Sequence, residues 1–168
     1  RFIRIDSSDP ENIPGEIQAQ GPNLTLGYYK NPEADAKAWT EDGWLRTGDL
    51  GTLDSGGNLF IRGRITALIL SATGQNIYPE EIEHLLDMHP YVKESVVVDR
   101  GGKVVALVYP DTNGIASMEE RDHQEVPEII RAQVNTKLPA YSQISRLELV
   151  DMPLIRTAKG TVKRHLYQ

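Results

Sequence analysis

Few side chains in this chain have the type and spacing to do chemistry. Glu80, Glu81 and Glu83 stand close together, and grouped carboxylates are what general acid–base work requires. Directly after Pro79, however, they fall in the first turn of a helix, where acids complement the positive end of the dipole. His84, His89, His123 and His165 show no metal-ligand spacing, and Glu83-His84 is not part of a two-histidine helical zinc motif. No serine sits in a nucleophile elbow. With no cysteine there is no disulfide framework, thiolate metal site or cysteine nucleophile. The loop around Gly74 has a single glycine and no following Lys-Ser or Lys-Thr, so its spacing is weak support for a phosphate cradle. Asp49, after Thr47-Gly48, reads as a turn cap. Arg46, Arg64 and the basic end (Arg156, Lys159, Lys163, Arg164) read as solvated faces. Residue types and spacing alone describe an α+β chain of open function.

The elements that must position these residues follow from composition and pattern. The chain has 168 residues, with 24 acidic against 18 Lys and Arg, for a net charge of −6. That acidic balance argues against a nucleic-acid or anionic-membrane binder. With 39% hydrophobic and 25% charged residues, the chain can bury a core, which excludes a disordered or low-complexity segment. No apolar run approaches the roughly 18 to 20 residues that span a bilayer. The opening, Arg1-Phe2-Ile3-Arg4-Ile5-Asp6, alternates like a strand already under way and has no leader pattern. The expectation is a piece cut from something longer.

Phe2–Ile5 and Glu16–Gln20 alternate as strands. Asn31-Pro32-Glu33 is a helix start, with Asn as N-cap and Pro at the first helical position; the helix should run to about Trp39. Trp44–Thr47 and Gly51–Leu53 read as strand pieces, and Asp54–Gly57 as the turn into a strand over Asn58–Arg62. Ile65–Leu70 reads as a strand and Ser71–Asn76 as a loop. After Pro79, Ile82, Leu85 and Leu86 recur at helical spacing. Val92–Asp99 and Val104–Tyr109 form an antiparallel hairpin, and Asp111–Arg121 is a polar loop. Val126, Ile130, Val134 and Leu138 make one helix stripe, and Ser145–Val150 returns to strand. The order strand, helix, two strands, helix, strand predicts a compact α+β module.

Four segments, in order, resemble the adenylate-forming superfamily of acyl-CoA synthetases, luciferases and peptide-synthetase adenylation domains. Gly15-Glu16-Ile17, then Gly21-Pro22-Asn23-Leu24 and Gly27–Ala34, resemble the stretch near the end of the large N-terminal domain. Gly43–Gly51 (Gly-Trp-Leu-Arg-Thr-Gly-Asp-Leu-Gly) resembles the nucleotide-ribose motif. Gly63-Arg64 and Gly74–Glu83 resemble the interdomain motif that begins the small C-terminal domain. Within the superfamily, the long loop between Arg64 and Pro79 and the run Pro139–Ile144 look most like bacterial long-chain fatty-acyl-CoA synthetases.

The resemblance implies that residues 1–63 are the β-rich end of the large domain. Residues 64–168 would form a mobile α+β lid with a short mixed or antiparallel sheet flanked by helices. It implies that Asp49 binds the ATP ribose hydroxyls, a carboxylate offering two acceptors to a diol, and that Arg64 holds the nucleotide near ribose and phosphate. Thr66 stands at the hinge, where the family usually has Asp or Lys. Gly74, Gln75 and Asn76 would approach the pantetheine arm of CoA. The family's closing lysine, which stabilises charge during adenylation, is replaced here by Thr161. Lys159 and Lys163 flank it, and on an extended segment the three share a face; Lys163 is the preferred substitute.

The implied reaction is fatty acid, ATP and CoA to acyl-CoA, AMP and pyrophosphate, through an acyl-adenylate. Magnesium, the phosphate loop and the acyl pocket would be held by the N-terminal domain, so this piece alone would be inactive. Implied partners are the fatty acid, ATP, CoA and the chain's own N-terminal domain, with no nucleic acid and no membrane span. Peripheral membrane contact stays open, and a cytoplasmic setting is expected. The alternatives are the lid of a non-catalytic relative, suggested by Thr66 and Thr161, or an adenylating enzyme serving an acyl carrier protein.

Overall fold

The computed structural model describes residues 2–115 and 125–168, the side chains of 114 and 115 excepted. The chain divides into two compact units, Arg1–Thr66 and Ala67–Gln168.

In the first unit, β1 (Phe2–Asp6), β2 (Gly15–Gln20), β3 (Leu45–Leu53) and β4 (Leu59–Arg64) form an antiparallel sheet in that order. Ile5 faces Ile17 in the β1–β2 register, and both are buried with Leu50. The two expected strand pieces at 44–53 are one strand. It absorbs the intervening Gly48-Asp49 by shifting register against β2 between Glu16 and Gln18; a second shift, against β4 between Leu50 and Gly51, leaves Arg62 of β4 as the extra residue. A short helix, α1 (Pro32–Ala38), starts as the sequence reading has it: Asn31 Oδ1 accepts from the Ala34 N–H at 3.1 Å.

The apolar run Ile65–Leu70 is not a strand throughout. Ile65–Ala67 is a 3-10 turn, and only β5 (Ile69–Leu70) pairs, with β6 (Asn76–Ile77). A short apolar run carries no period that tells these apart. In the second unit, α2 (Pro79–Asp87) buries Pro79, Ile82 and Leu86. β7 (Val92–Asp99) and β8 (Val104–Pro110) form the expected hairpin. The polar stretch after it begins with a short helix, α3 (Thr112–Ile115); residues 116–121 of the expected loop lie outside the described residues. From α4 (Val126–Asn135) the chain returns to β9 (Arg146–Leu149), which pairs with β8 in parallel and makes the sheet mixed.

β8 is buried on both faces. Val104, Ala106 and Val108 pack with Val97 against Ile82, Leu86, Val126, Ile130 and Val134 of the helices. Val105 and Leu107 pack with Val96 and Val98 against Leu154, Val150, Val162 and Tyr167. The residues after β9, which hold almost no regular structure, therefore serve as the second layer over the sheet.

Candidate functional site

Asp49 and Arg64 are direct partners across β3 and β4. An Arg64 Nη1–H donates to Asp49 Oδ1 at 2.8 Å, and the side chains stay 34% (Asp49) and 58% (Arg64) exposed. The corner is held from beneath. Thr47 Oγ donates to the Ile17 carbonyl at 2.7 Å and accepts from the Asp49 N–H at 3.1 Å. Glu16 accepts from the Gly48 N–H and from Arg46, each at 3.2 Å. An acceptor carboxylate beside a five-donor cation, both open to solvent on a fixed strand pair, suits a vicinal diol next to a phosphate. Thr66 is exposed within the 3-10 turn, at the boundary of the two units.

Gly74 caps the β5–β6 hairpin with φ +79°, a left-handed conformation that glycine adopts freely. Its N–H donates to the Ser71 carbonyl at 2.9 Å, and Ser71 Oγ accepts from the Gln75 N–H at 2.9 Å. Gly74, Gln75 and Asn76 are all exposed, a narrow polar tip suited to contacts through backbone.

The basic end departs from expectation. Residues 157–161 are not extended. Arg156 bridges Val162 as in a hairpin, the Thr157 N–H donates to the Thr161 carbonyl at 2.8 Å, and the Gly160 N–H donates to the Thr157 carbonyl at 2.9 Å. Gly160, at φ +84°, closes the turn. The alternation that would place Lys159, Thr161 and Lys163 on one face is therefore broken. Lys159 is exposed at the tip, whereas Lys163 lies on the returning arm, half-buried, its N–H bonded to the Ile155 carbonyl at 2.8 Å.

The grouped acids of α2 do more than oppose a dipole. Arg164 donates to both oxygens of Glu83 (3.1 Å from Nη2 to Oε2), to Glu80 at 3.5 Å and to the Val97 carbonyl. Glu83 also accepts from the Val97 N–H at 2.7 Å. Burial pushes the Glu83 carboxyl up, against the lowering by Arg164 beside it. These partners are 81 residues apart in sequence, and no local signal points from one to the other. His89 has a structural place: its two ring nitrogens meet the Tyr91 N–H and the Gln133 side chain, at 3.2 and 3.0 Å. His84 and His165 are exposed, and His123 lies outside the described residues. Among the described residues no three His, Asp or Glu side chains gather as a metal-binding group.

Residues 66–168 match the family described as the AMP-binding enzyme C-terminal domain, and the chain belongs to that family. It is 41% identical over 117 residues to the 2-succinylbenzoate–CoA ligase of Bacillus cytotoxicus, which covers 68% of this chain and 24% of that protein. It is 47% identical over 104 residues to the sulfoacetate–CoA ligase of Cupriavidus necator, 59% of this chain and 20% of that protein. Among solved structures, the o-succinylbenzoate CoA synthetase of Bacillus subtilis, in complex with its acyl-adenylate intermediate, superposes with a TM-score of 0.83. The two are 28% identical, over 99% of this chain and 33% of that one. The chain thus spans a fifth to a third of the length of these relatives.

Proposed function

We propose that this chain is the closing part of an AMP-forming acid–CoA ligase, the end of the large adenylation domain followed by the C-terminal lid. The carrying observation is the exposed Asp49–Arg64 pair on a rigid strand pair. Asp49 takes the ribose hydroxyls of ATP, and Arg64, released from Asp49 in part, takes the phosphate side. In the first half-reaction a substrate carboxylate oxygen attacks the α-phosphorus and pyrophosphate leaves. In the second, the CoA sulfur attacks the acyl carbon of the adenylate and AMP leaves.

Lys159 is the cation we assign to the first step in place of the usual lysine, because it projects from the hairpin tip while Lys163 is tied into the returning arm. A fixed positive charge aimed at developing negative charge is what that step requires. The Gly74 tip is assigned to pantetheine in the second step, and Thr66 to the hinge between the two. Magnesium and the phosphate loop are assigned to the part of the enzyme outside this chain.

The acid is an organic carboxylate. The relatives carry 2-succinylbenzoate and sulfoacetate in their names, and the resemblance of Pro139–Ile144 to long-chain enzymes does not weigh against them. Ser142 and Ile144 are buried, and Asn135 bonds both the N–H and the carbonyl of Ile144, so folding alone accounts for that run. Long-chain fatty acids therefore enter as one arm of the test. Purified intact enzyme is offered ATP with aryl, sulfonated short-chain and C8 to C18 acids, with and without CoA. Acyl-CoA and AMP formed together with one class support the reading, and no AMP with any acid would refute it.

A further inference from the structure

The hairpin that presents Lys159 has two backbone bonds across its turn and one more between its arms, from the Lys163 N–H to the Ile155 carbonyl. The stretch it belongs to has no strand ladder and only a single 3-10 turn, Arg164–Leu166. The hairpin's position must come from what holds its arms. The entering arm is pinned by Glu94, which accepts from the Leu154 N–H at 3.1 Å and pairs with Arg156 at 3.3 Å. The leaving arm is pinned by Arg164. Its guanidinium reaches α2 through Glu80 and Glu83 and reaches β7 through the Val97 carbonyl, with side chains only 18% (Arg164) and 16% (Glu83) exposed. Beyond it, Tyr167 Oη accepts from the Ile155 N–H at 2.8 Å, and the Tyr167 carbonyl accepts from Arg100, so the two arms are tied together.

We propose that Arg164 is a positioning residue for adenylation: through Glu83 and the Val97 carbonyl it fixes the arm that places Lys159 against the reacting phosphate. The planar fork is essential to this task. It bonds two carboxylate oxygens and a carbonyl in one geometry, which an ammonium on a flexible stem does not reproduce. A fork lost from this node frees the arm, and a shift of about 1 Å at a catalytic group costs on the order of 10²-fold in rate. The proposal rests on the assignment of Lys159 to the first half-reaction.

The test uses the intact enzyme and Arg164→Lys, with Glu83→Gln as a second, gentler variant. Pyrophosphate exchange reads the first half-reaction; thioester formation from supplied acyl-adenylate and CoA reads the second. Appearance of a new N-terminus at Gly160 under limited trypsin reads the freedom of the tip. Arg164→Lys is expected to lower the exchange kcat by about 10²-fold with the KM for ATP unchanged, to leave the second half-reaction intact, and to speed cleavage at Lys159. Glu83→Gln moves each readout the same way by less. Equal loss of both half-reactions, or wild-type exchange and cleavage, would overturn the proposal. If the wild-type enzyme exchanges no pyrophosphate with any acid, the functional reading fails instead. In that case the positioning claim is judged by cleavage alone, and unchanged cleavage in both variants overturns it.

Discussion

Two of the molecule's arginine–carboxylate pairs have nearly the same chemistry and opposite surroundings. Arg64–Asp49 lies open on a strand pair, whereas Arg164–Glu83 is packed between α2, β7 and the end of the chain. An exposed pair contributes about 0–1 kcal/mol, so a ligand that competes for either partner loses little by opening it. A buried pair behaves differently, because removing one member leaves an uncompensated charge away from water. The same two side-chain types thus make an open, solvent-facing corner in one unit and a packed anchor in the other, and accessibility decides which.

That contrast is broken most forcefully at the anchor. Arg164→Met should cost about 3–5 kcal/mol, read as lost hydrogen-exchange protection over Val96–Val98 in the intact protein; a loss under 1 kcal/mol would make the two pairs equivalent. Next, Lys159→Ala should lower pyrophosphate exchange by about 10²–10³-fold, with Lys163→Ala within a few-fold of wild type, and the reverse ranking would return the role to Lys163. Asp49→Ala should lower kcat/KM for ATP by about 10 to 10²-fold, as expected for losing hydrogen bonds to a charged group. Its melting temperature should stay within a degree or two of wild type.

Smaller effects of opposite sign sharpen the same contrast in pH. Glu83, raised by burial from its ordinary value of 4.5, holds a proton more readily folded than unfolded. Its contribution is therefore greatest at low pH and is lost as pH rises above 4.5 through the raised value; Glu83→Gln should flatten that slope in denaturant midpoints. Asp42 is the reverse case. The hydrogen bond from Arg4 holds it down at about 2, so its contribution is present above its ordinary 3.8 and is lost as pH falls toward 2. Asp42→Asn should remove only that acid-side slope, by a small amount, since both partners lie at the surface.

Legibility followed sequence distance. α1 was readable because Asn31 caps it and Pro32 opens it, both within one turn. α2 and the β7–β8 hairpin were readable because their apolar periods and glycine turn are local. β9 could be read as a strand, but not its parallel pairing, since the partner β8 is reached only through α4. Asp49 and Arg64 were singled out only through resemblance, because a lone acid after Thr-Gly has an ordinary explanation as a cap. The turn at 157–161 was missed although Gly160 signals it, because alternating lysines around Thr161 suggested an extended run. The Arg164 node was beyond reach, joining residues 81 apart with no local pattern at either end.

The most direct measurement is ATP-dependent AMP release by the intact enzyme, across aryl, sulfonated short-chain and long-chain acids, each with and without CoA. AMP and acyl-CoA appearing in equal amounts, only when one acid class and CoA are both present, is the predicted result. Pyrophosphate exchange followed by AMP release that ignores CoA would contradict the ligase reading and point to a carrier-protein acceptor. No AMP with any acid would place the chain in a relative that has lost the chemistry.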